Sequence, residues 1–230
     1  MVRCWLEIGI GDVAAAREAE EAYARGKAYA ESEGAKMGIS DPETLSEMYG
    51  CDPAWSAKGA ALFATPAPLS AGRLVFELDP KACPKAVENF RCLCTGERGV
   101  GKGSGKPLHY RGVGFHRIVH GFVCQGGDVV RGDGSGGDSI YGKAFNDEKG
   151  GLAKKHAALG TLGMANSGKN SNTSQFYVTL AAPLPKLDGK HVVLGSLVEG
   201  KEVIERIDRE AASEDGQPKV PVTVLDCGEC

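Results

Sequence analysis

A mainly β protein, built as a closed antiparallel barrel, is the fold this sequence predicts, and three observations predict it. Short apolar runs with strand alternation recur along most of the chain. Glycine-rich turns separate them, within a total of 33 glycines. Outside one alanine-rich stretch, only two segments carry helical spacing. At 230 residues the chain can bury one good core with a smaller attachment.

Residues 2–11 alternate, with Cys4, Leu6, Ile8 and Ile10 on one face and Trp5, Glu7 and Gly9 on the other. That pattern is a half-buried strand. GRLVFELD at 72–79 repeats it, with Leu74, Phe76 and Leu78 facing one way. Between the two strands the composition changes sharply. AAAREAEEAYARGKAYAESEGAKMG predicts a helix ending near Gly34 or Gly38. Ser40-Asp41-Pro42 and Asp52-Pro53 each offer an N-cap with proline in the first turn, so two short helices follow. Residues 13–69 therefore form an α-helical insertion between the first two strands of a domain that runs over 1–230.

The insertion carries nine acidic and five basic residues, while the remainder is close to neutral. Its few large apolar residues (Tyr23, Tyr29, Met37, Leu45, Trp55, Leu62, Phe63) bury limited area. The helices need the barrel, each other or a protein partner, and both packing on the barrel and docking of a partner at 13–69 are expected uses.

Beyond the second strand, PKAVENFRCLC is the next helix, with Val87, Phe90 and Cys94 on its buried side. TGERGVGKGSGKPLHYRG is a glycine- and lysine-rich surface loop that does not match a phosphate-binding GxxxxGK[ST]. GFHRIVHGFVCQGG, residues 114–127, reads as strand, placing Arg117 beside His116 in an apolar run that ends at Gln125 and paired glycines. One face of such a run can line a pocket while the other fills a core. Taken alone, the His-Arg pair is most simply an exposed cation on an edge strand.

A second glycine-dense loop, VVRGDGSGGDSIYG, leads to LGTLGMANSGKNSNTSQFYVTL, whose polar centre is flanked by strand-like ends. KLDGKHVVLGSLV is a turn and a strand, KEVIERI a short helix with Val203, Ile204 and Ile207 inward, and VPVTVLDC the last strand.

The net charge of −3 leaves no electrostatic footprint for nucleic acid or an anionic membrane, and no apolar run is long enough to span a bilayer. The start, MVRCWLEIGIGD, has no apolar region of a secretory signal, so a monomer of the cytosol or nucleus is expected. The eight cysteines are irregularly spaced and are expected as thiols rather than a disulfide framework. Cys92-x-Cys94 and Cys227-x-x-Cys230 have the count of a four-thiolate zinc site. The first spacing is tight and Cys230 is the last residue, so no metal is expected.

With FHRIVHGFVCQGGD, GSGGDSIYG, GMANSGKNSNTSQFYV and LDGKHVVLG in that order, the chain resembles the cyclophilins. These are peptidyl-prolyl cis-trans isomerases built as an eight-stranded antiparallel barrel capped by two helices. The resemblance covers residues 2–12 and about 70–230, without a counterpart for 13–69. It implies an isomerase that needs no cofactor or metal and acts on proline-containing peptides and proteins. It implies Arg117 as the catalytic arginine with His116 beside it, and Phe122, Val123, Tyr177 and Leu187 at the proline pocket. Gln125, Gly134, Ala165, Asn166, Ser167, Gln175 and His191 fall along the implied substrate groove. A binding module that holds proline segments with incidental turnover is the alternative, but capture alone has no need of Arg117.

Departures from the family pattern carry their own expectations. Lys186 stands where many members have a tryptophan that contributes to cyclosporin binding, so weakened affinity for such ligands is implied. Tyr177 replaces the usual phenylalanine and brings a hydroxyl that must find a partner. The loop GVGKGSGKPLHYRG resembles that of the divergent-loop group, in which two cysteines can be redox-linked and an acidic residue contacts the loop. Cys94, Cys227 and Asp138 occupy those positions here.

Overall fold

The computed structural model describes residues 2–230. In chain order its elements are β1 (Val2–Ile10), α1 (Val13–Tyr29), a π-helical turn (Ala30–Gly34), α2 (Ala35–Met37), α3 (Pro42–Cys51), α4 (Pro53–Ser56), β2 (Ser70–Leu78) and α5 (Pro84–Thr95). Then come β3 (Arg117–Val119), β4 (Val123–Gly126), α6 (Lys149–Ala153), β5 (Thr161–Met164), β6 (Phe176–Thr179), a 3-10 turn (Pro185–Leu187), β7 (Val193–Glu199), α7 (Lys201–Glu210) and β8 (Val222–Glu229). They form two compact units: residues up to Ile10 together with Ser70–Cys230, and Gly11–Leu69.

In the larger unit eight antiparallel strands form one strongly curled sheet, in the order β3-β4-β6-β5-β7-β2-β1-β8. The alternation read in the first two strands sets their register, with Cys4 opposite Phe76 and Leu6 opposite Leu74. All four are fully buried in the core. Truncating a wholly buried leucine such as Leu6 to alanine costs about 2–5 kcal/mol. α5 turns Ala86, Val87, Phe90, Leu93 and Cys94 into the same core. Its first turn is capped from a distance, because Glu148 accepts hydrogen bonds from the amides of Lys85 (3.0 Å) and Ala86 (2.9 Å). Gly96, at φ 70°, ends it in the left-handed conformation. α7 contributes Val203, Ile204 and Ile207.

Two expectations need correction. The sheet is a half-barrel rather than a closed barrel: β3 and β8 are its edges and do not pair as strands. β3 is only three residues long, and the segment preceding it meets β8 instead. Gly112 N donates to Val224 O (2.8 Å), Val224 N to Val113 O (3.0 Å) and Phe115 N to Val222 O (2.8 Å). The second correction is that residues 114–127 are not one strand. Gly121, at φ 59°, and a bond from Phe122 N to Val119 O (3.1 Å) fold the run into the β3–β4 hairpin.

The smaller unit is helical. Asp12 caps α1 by accepting from Ala14 N and Ala15 N, and the helical path runs through the π turn and α2 to Gly38 at φ 70°. Asp41 caps α3 through Thr44 N, and Asp52 caps α4 through Ala54 N, each with proline following. The unit has its own aromatic core of Tyr29, Leu45 and Tyr49 with Trp55 and Phe63 against them. Tyr29 meets Tyr49 and Trp55 edge-on at centroid distances of 5.2 and 5.3 Å. Met37 and Leu62, by contrast, are exposed.

Candidate active site

Strand alternation divides the sheet β3-β4-β6-β5 into two rows of residues. Ile118, Cys124, Val178 and Leu162 are cross-strand neighbours, and all four are fully buried in the core. The adjacent row, on the opposite face, is Arg117, Gln125, Tyr177 and Gly163. The hairpin is what permits this row, because β3 and β4 run in opposite directions and bring Arg117 opposite Gln125. Arg117 is exposed, and its stem runs along Gly216, where a β-carbon would stand 3.1 Å from Cγ.

At one end of this face lies an apolar cluster. Val123, Ala165 and Tyr177 are buried together there, with Phe122, Leu184 and Leu187 packed against them. Of the residues expected at the proline pocket, Phe122, Val123, Tyr177 and Leu187 are thus brought together. Leu184 joins them although sequence reasoning did not single it out. The Tyr177 hydroxyl does find a partner, His156 Nε2 at 2.6 Å, and His156 Nδ1 lies 2.8 Å from Asp188 Oδ1. A β-carbon on Gly163 would collide with that hydroxyl, so the glycine makes room for it. His191 packs edge-on against Tyr177 with centroids 5.4 Å apart, and its Nδ1 is 3.2 Å from Met164 O. Burial lowers the His191 pKa from its ordinary 6.5, chiefly against the hydrogen bond to Met164 O.

At the other end a polar cavity of about 570 Å³ is lined by Gln125, Gly134, Ala165, Asn166, Ser167 and Gln175, among others. Gln125 Nε2 donates to Gln175 Oε1 (2.9 Å), and Gln175 Nε2 donates to the carbonyls of Gly134 (2.9 Å) and Gly136 (2.6 Å). The loop bearing those glycines is held by Asp128, which is 2% exposed. Its carboxylate accepts from the amides of Val130, Arg131, Gly134 and Gly136 at 2.9–3.1 Å. Burial alone would push this carboxyl up, and the four amides overcome it, leaving the pKa below its ordinary value. Ser104 of the lysine-rich loop also lines the cavity, and its amide donates to Asp138 Oδ2 (2.9 Å).

The other expected residues fall as follows. His116 is partly buried against Gly134, its Nδ1 has no hydrogen-bond partner, and burial lowers its pKa from 6.5. The Asn166 side chain holds its own turn, donating to Lys190 O (2.9 Å) and accepting from Gly168 N (3.3 Å). Ser167 and Lys186 are exposed. Cys94 and Cys227 are buried free thiols. Burial and the neighbouring Cys4 and Cys227 raise the Cys94 pKa, and burial pushes that of Cys227 up to about 12. Both are therefore protonated at neutral pH. The spatial cluster of candidate metal-ligand types is Glu88, Cys92 and Glu97. Arg91 and Arg98 sit among them at 2.7–3.5 Å, which makes this an ion-pair network.

Residues 65–229 match the family model described as cyclophilin type peptidyl-prolyl cis-trans isomerase/CLD. Over 158 residues, 69% of this chain, the sequence is 51% identical to the peptidyl-prolyl cis-trans isomerase cyp11 of Rhizopus delemar. The shared stretch is 46% of that protein's length, so the chain spans less than half of this relative. No helix among the described residues is long and apolar enough to cross a membrane. Matched over most of its length, and at this identity, the chain belongs to the family of cyclophilin type peptidyl-prolyl cis-trans isomerases.

Proposed function

We propose that this chain is a peptidyl-prolyl cis-trans isomerase acting on X-Pro bonds of peptides and proteins, with Arg117 as its catalytic residue. The observation that carries the reading is the row Arg117–Gln125–Tyr177 beside the apolar cluster of Phe122, Val123, Ala165 and Leu187. A cation and an apolar cluster of side chains share one face of the sheet.

Rotation about a prolyl amide is slow because it breaks resonance, a barrier of about 18–20 kcal/mol. In the twisted state the prolyl nitrogen becomes pyramidal and gains a lone pair. A guanidinium can donate to that lone pair, but finds none in either planar ground state. Arg117 therefore binds the transition state more strongly than the substrate, which is the condition for acceleration. The pyrrolidine ring sits against the cluster, and Gln125, held by Gln175, fixes a flanking carbonyl. The side chain of Asn166 is occupied by its own turn, so this residue serves through its backbone. His116 shapes the wall against Gly134 and transfers no proton, since the reaction moves none. Ser167 and Lys186 stand at the exposed margin and tune preference, and 13–69 is an insertion within this isomerase domain.

An NMR exchange or protease-coupled assay on a prolyl peptide tests the reading. Arg117→Ala is expected to lower kcat/KM by about 100-fold while peptide binding persists. A wild-type chain that binds the peptide and does not turn it over would make the groove a docking module instead.

A further inference from the structure

The geometry points to Asp188 and His156 as positioning residues of the proline pocket, acting through the hydroxyl of Tyr177; this rests on the isomerase reading above. The three groups form a directed chain. The Tyr177 ring, 3% exposed, is part of the buried cluster of the pocket. Its hydroxyl lies 2.6 Å from His156 Nε2, and His156, 1% exposed, places Nδ1 2.8 Å from Asp188 Oδ1.

An ionised carboxylate only accepts, so Nδ1 carries a proton, and in the neutral imidazole Nε2 is left as an acceptor. The tyrosine hydroxyl must then donate to it. Protonation states agree: burial raises the Tyr177 pKa, and the His156 amide and ring hold Asp188 at about 2. The same oxygen of Asp188 accepts from the His156 amide (2.9 Å), and Lys155 Nζ stands 3.4 Å from the other.

What the chain connects gives it a purpose. Tyr177 belongs to β6, at the floor of the pocket, whereas Asp188 follows Leu184 and Leu187, which pack against the buried cluster. His156 also accepts from Leu184 N through its carbonyl (2.9 Å). Floor and wall come from segments distant in sequence, and one buried imidazole ties them together. A phenylalanine at position 177 removes the hydrogen bond that ties the ring to His156 and leaves Nε2 buried without a donor. The expected loss is in ground-state and transition-state binding alike, because Arg117 is untouched.

Tyr177→Phe, His156→Phe and the double variant test this in the full chain. KM for a prolyl peptide, and its Kd by NMR titration, should rise about tenfold in each single variant with kcat within about twofold. The double variant, which removes both ends of one hydrogen bond, should be no worse than either single. Single variants with unchanged KM and Kd, or a double whose effect is the product of the two, would overturn the inference. Should His156→Phe fail to fold, Tyr177→Phe and the imidazole nitrogens of the wild type suffice. Nitrogen-15 shifts should show the His156 proton on Nδ1, released in Asp188→Ala; a proton on Nε2 overturns the chain. A wild type without turnover would sink the isomerase reading, while Kd and the tautomer would still decide this one.

Discussion

At one end of this face of the sheet the apolar cluster is built from side chains, and at the other the polar cavity is shaped by backbone. Phe122, Val123, Ala165, Leu184, Leu187 and Tyr177 make up the cluster. Gly134 and Gly136 form the opposite end with the two glutamines, and their loop hangs on a single buried carboxylate, Asp128. The difference predicts how each end fails. Substitution in the cluster changes what binds, because neighbouring side chains can adjust and the sheet beneath stays paired. Substitution at the cavity removes the anchor of several peptide groups at once, so it changes whether the loop is there.

The largest effect expected is therefore from Asp128→Ala. Four amides lose the acceptor that a carboxylate only 2% exposed supplies, and hydrogen bonds to a charged group contribute about 1.5–3 kcal/mol each. Relaxation of the loop into solvent recovers part of that, leaving a loss of about 3 kcal/mol, read as a lower urea midpoint. An unchanged midpoint would mean that the loop is not anchored there, and the contrast between the two ends would collapse.

Gly134→Ala is the next test. At φ 89° the position favours glycine, and a β-carbon would lie 2.6 Å from His116 Cδ2. The expected cost is about 1–2 kcal/mol, with a fall in kcat/KM because His116 must move from the wall beside Arg117. The equivalent insult at the apolar end, Val123→Ala, should raise KM and cost about 1–2 kcal/mol, since it removes two methyl groups from a buried cluster without breaking any backbone anchor.

How much of this was legible in sequence follows the range of the interactions involved. Alternation and proline-bearing caps are local, so the buried faces of β1 and β2 and the starts of α3 and α4 could be read directly. The groove residues were legible as a set only through four motif blocks together; Arg117 alone reads as an edge-strand cation. His156 was missed because its partners lie 21 and 32 residues away and KKHAAL carries no motif. The available signal was the Tyr177 hydroxyl itself, which had to be satisfied once buried. Asp128 was missed because an aspartate before a glycine-rich loop looks like ordinary turn chemistry. The hairpin could have been found from Gly121 between two apolar runs, whereas the unpaired sheet edges depend on curvature that no local pattern encodes.

Acidification probes both ends together. His116 and His191 titrate below 6.5 in the folded chain because both are partly buried. Asp128 and Asp133 oppose that shift at His116 and Arg117 adds to it; at His191, Asp147 opposes it while His156 and Lys190 add to it. As pH falls through 6.5 the unfolded chain takes up protons first, so stability declines from there and levels off below the folded values. Above 6.5 these groups contribute no slope. Thermal melts across this window should show the decline, and His191→Asn should reduce it. A melting temperature flat through the window would mean that neither ring is desolvated.

The smallest effect expected is at the rim, and it bears on the comparison from the other side. Lys186 is exposed on the 3-10 turn Pro185–Leu187, next to a residue of the apolar cluster. Because that end is made by side chains, a wall can be added there without disturbing any backbone anchor. Lys186→Trp should tighten cyclosporin about tenfold by offering an amphipathic ring at the pocket margin, with kcat for a prolyl peptide unchanged. Titration of both forms checks it. If the wild type already binds as tightly as the variant, the lysine is no handicap, and the rim contributes less to recognition than the floor held by Tyr177.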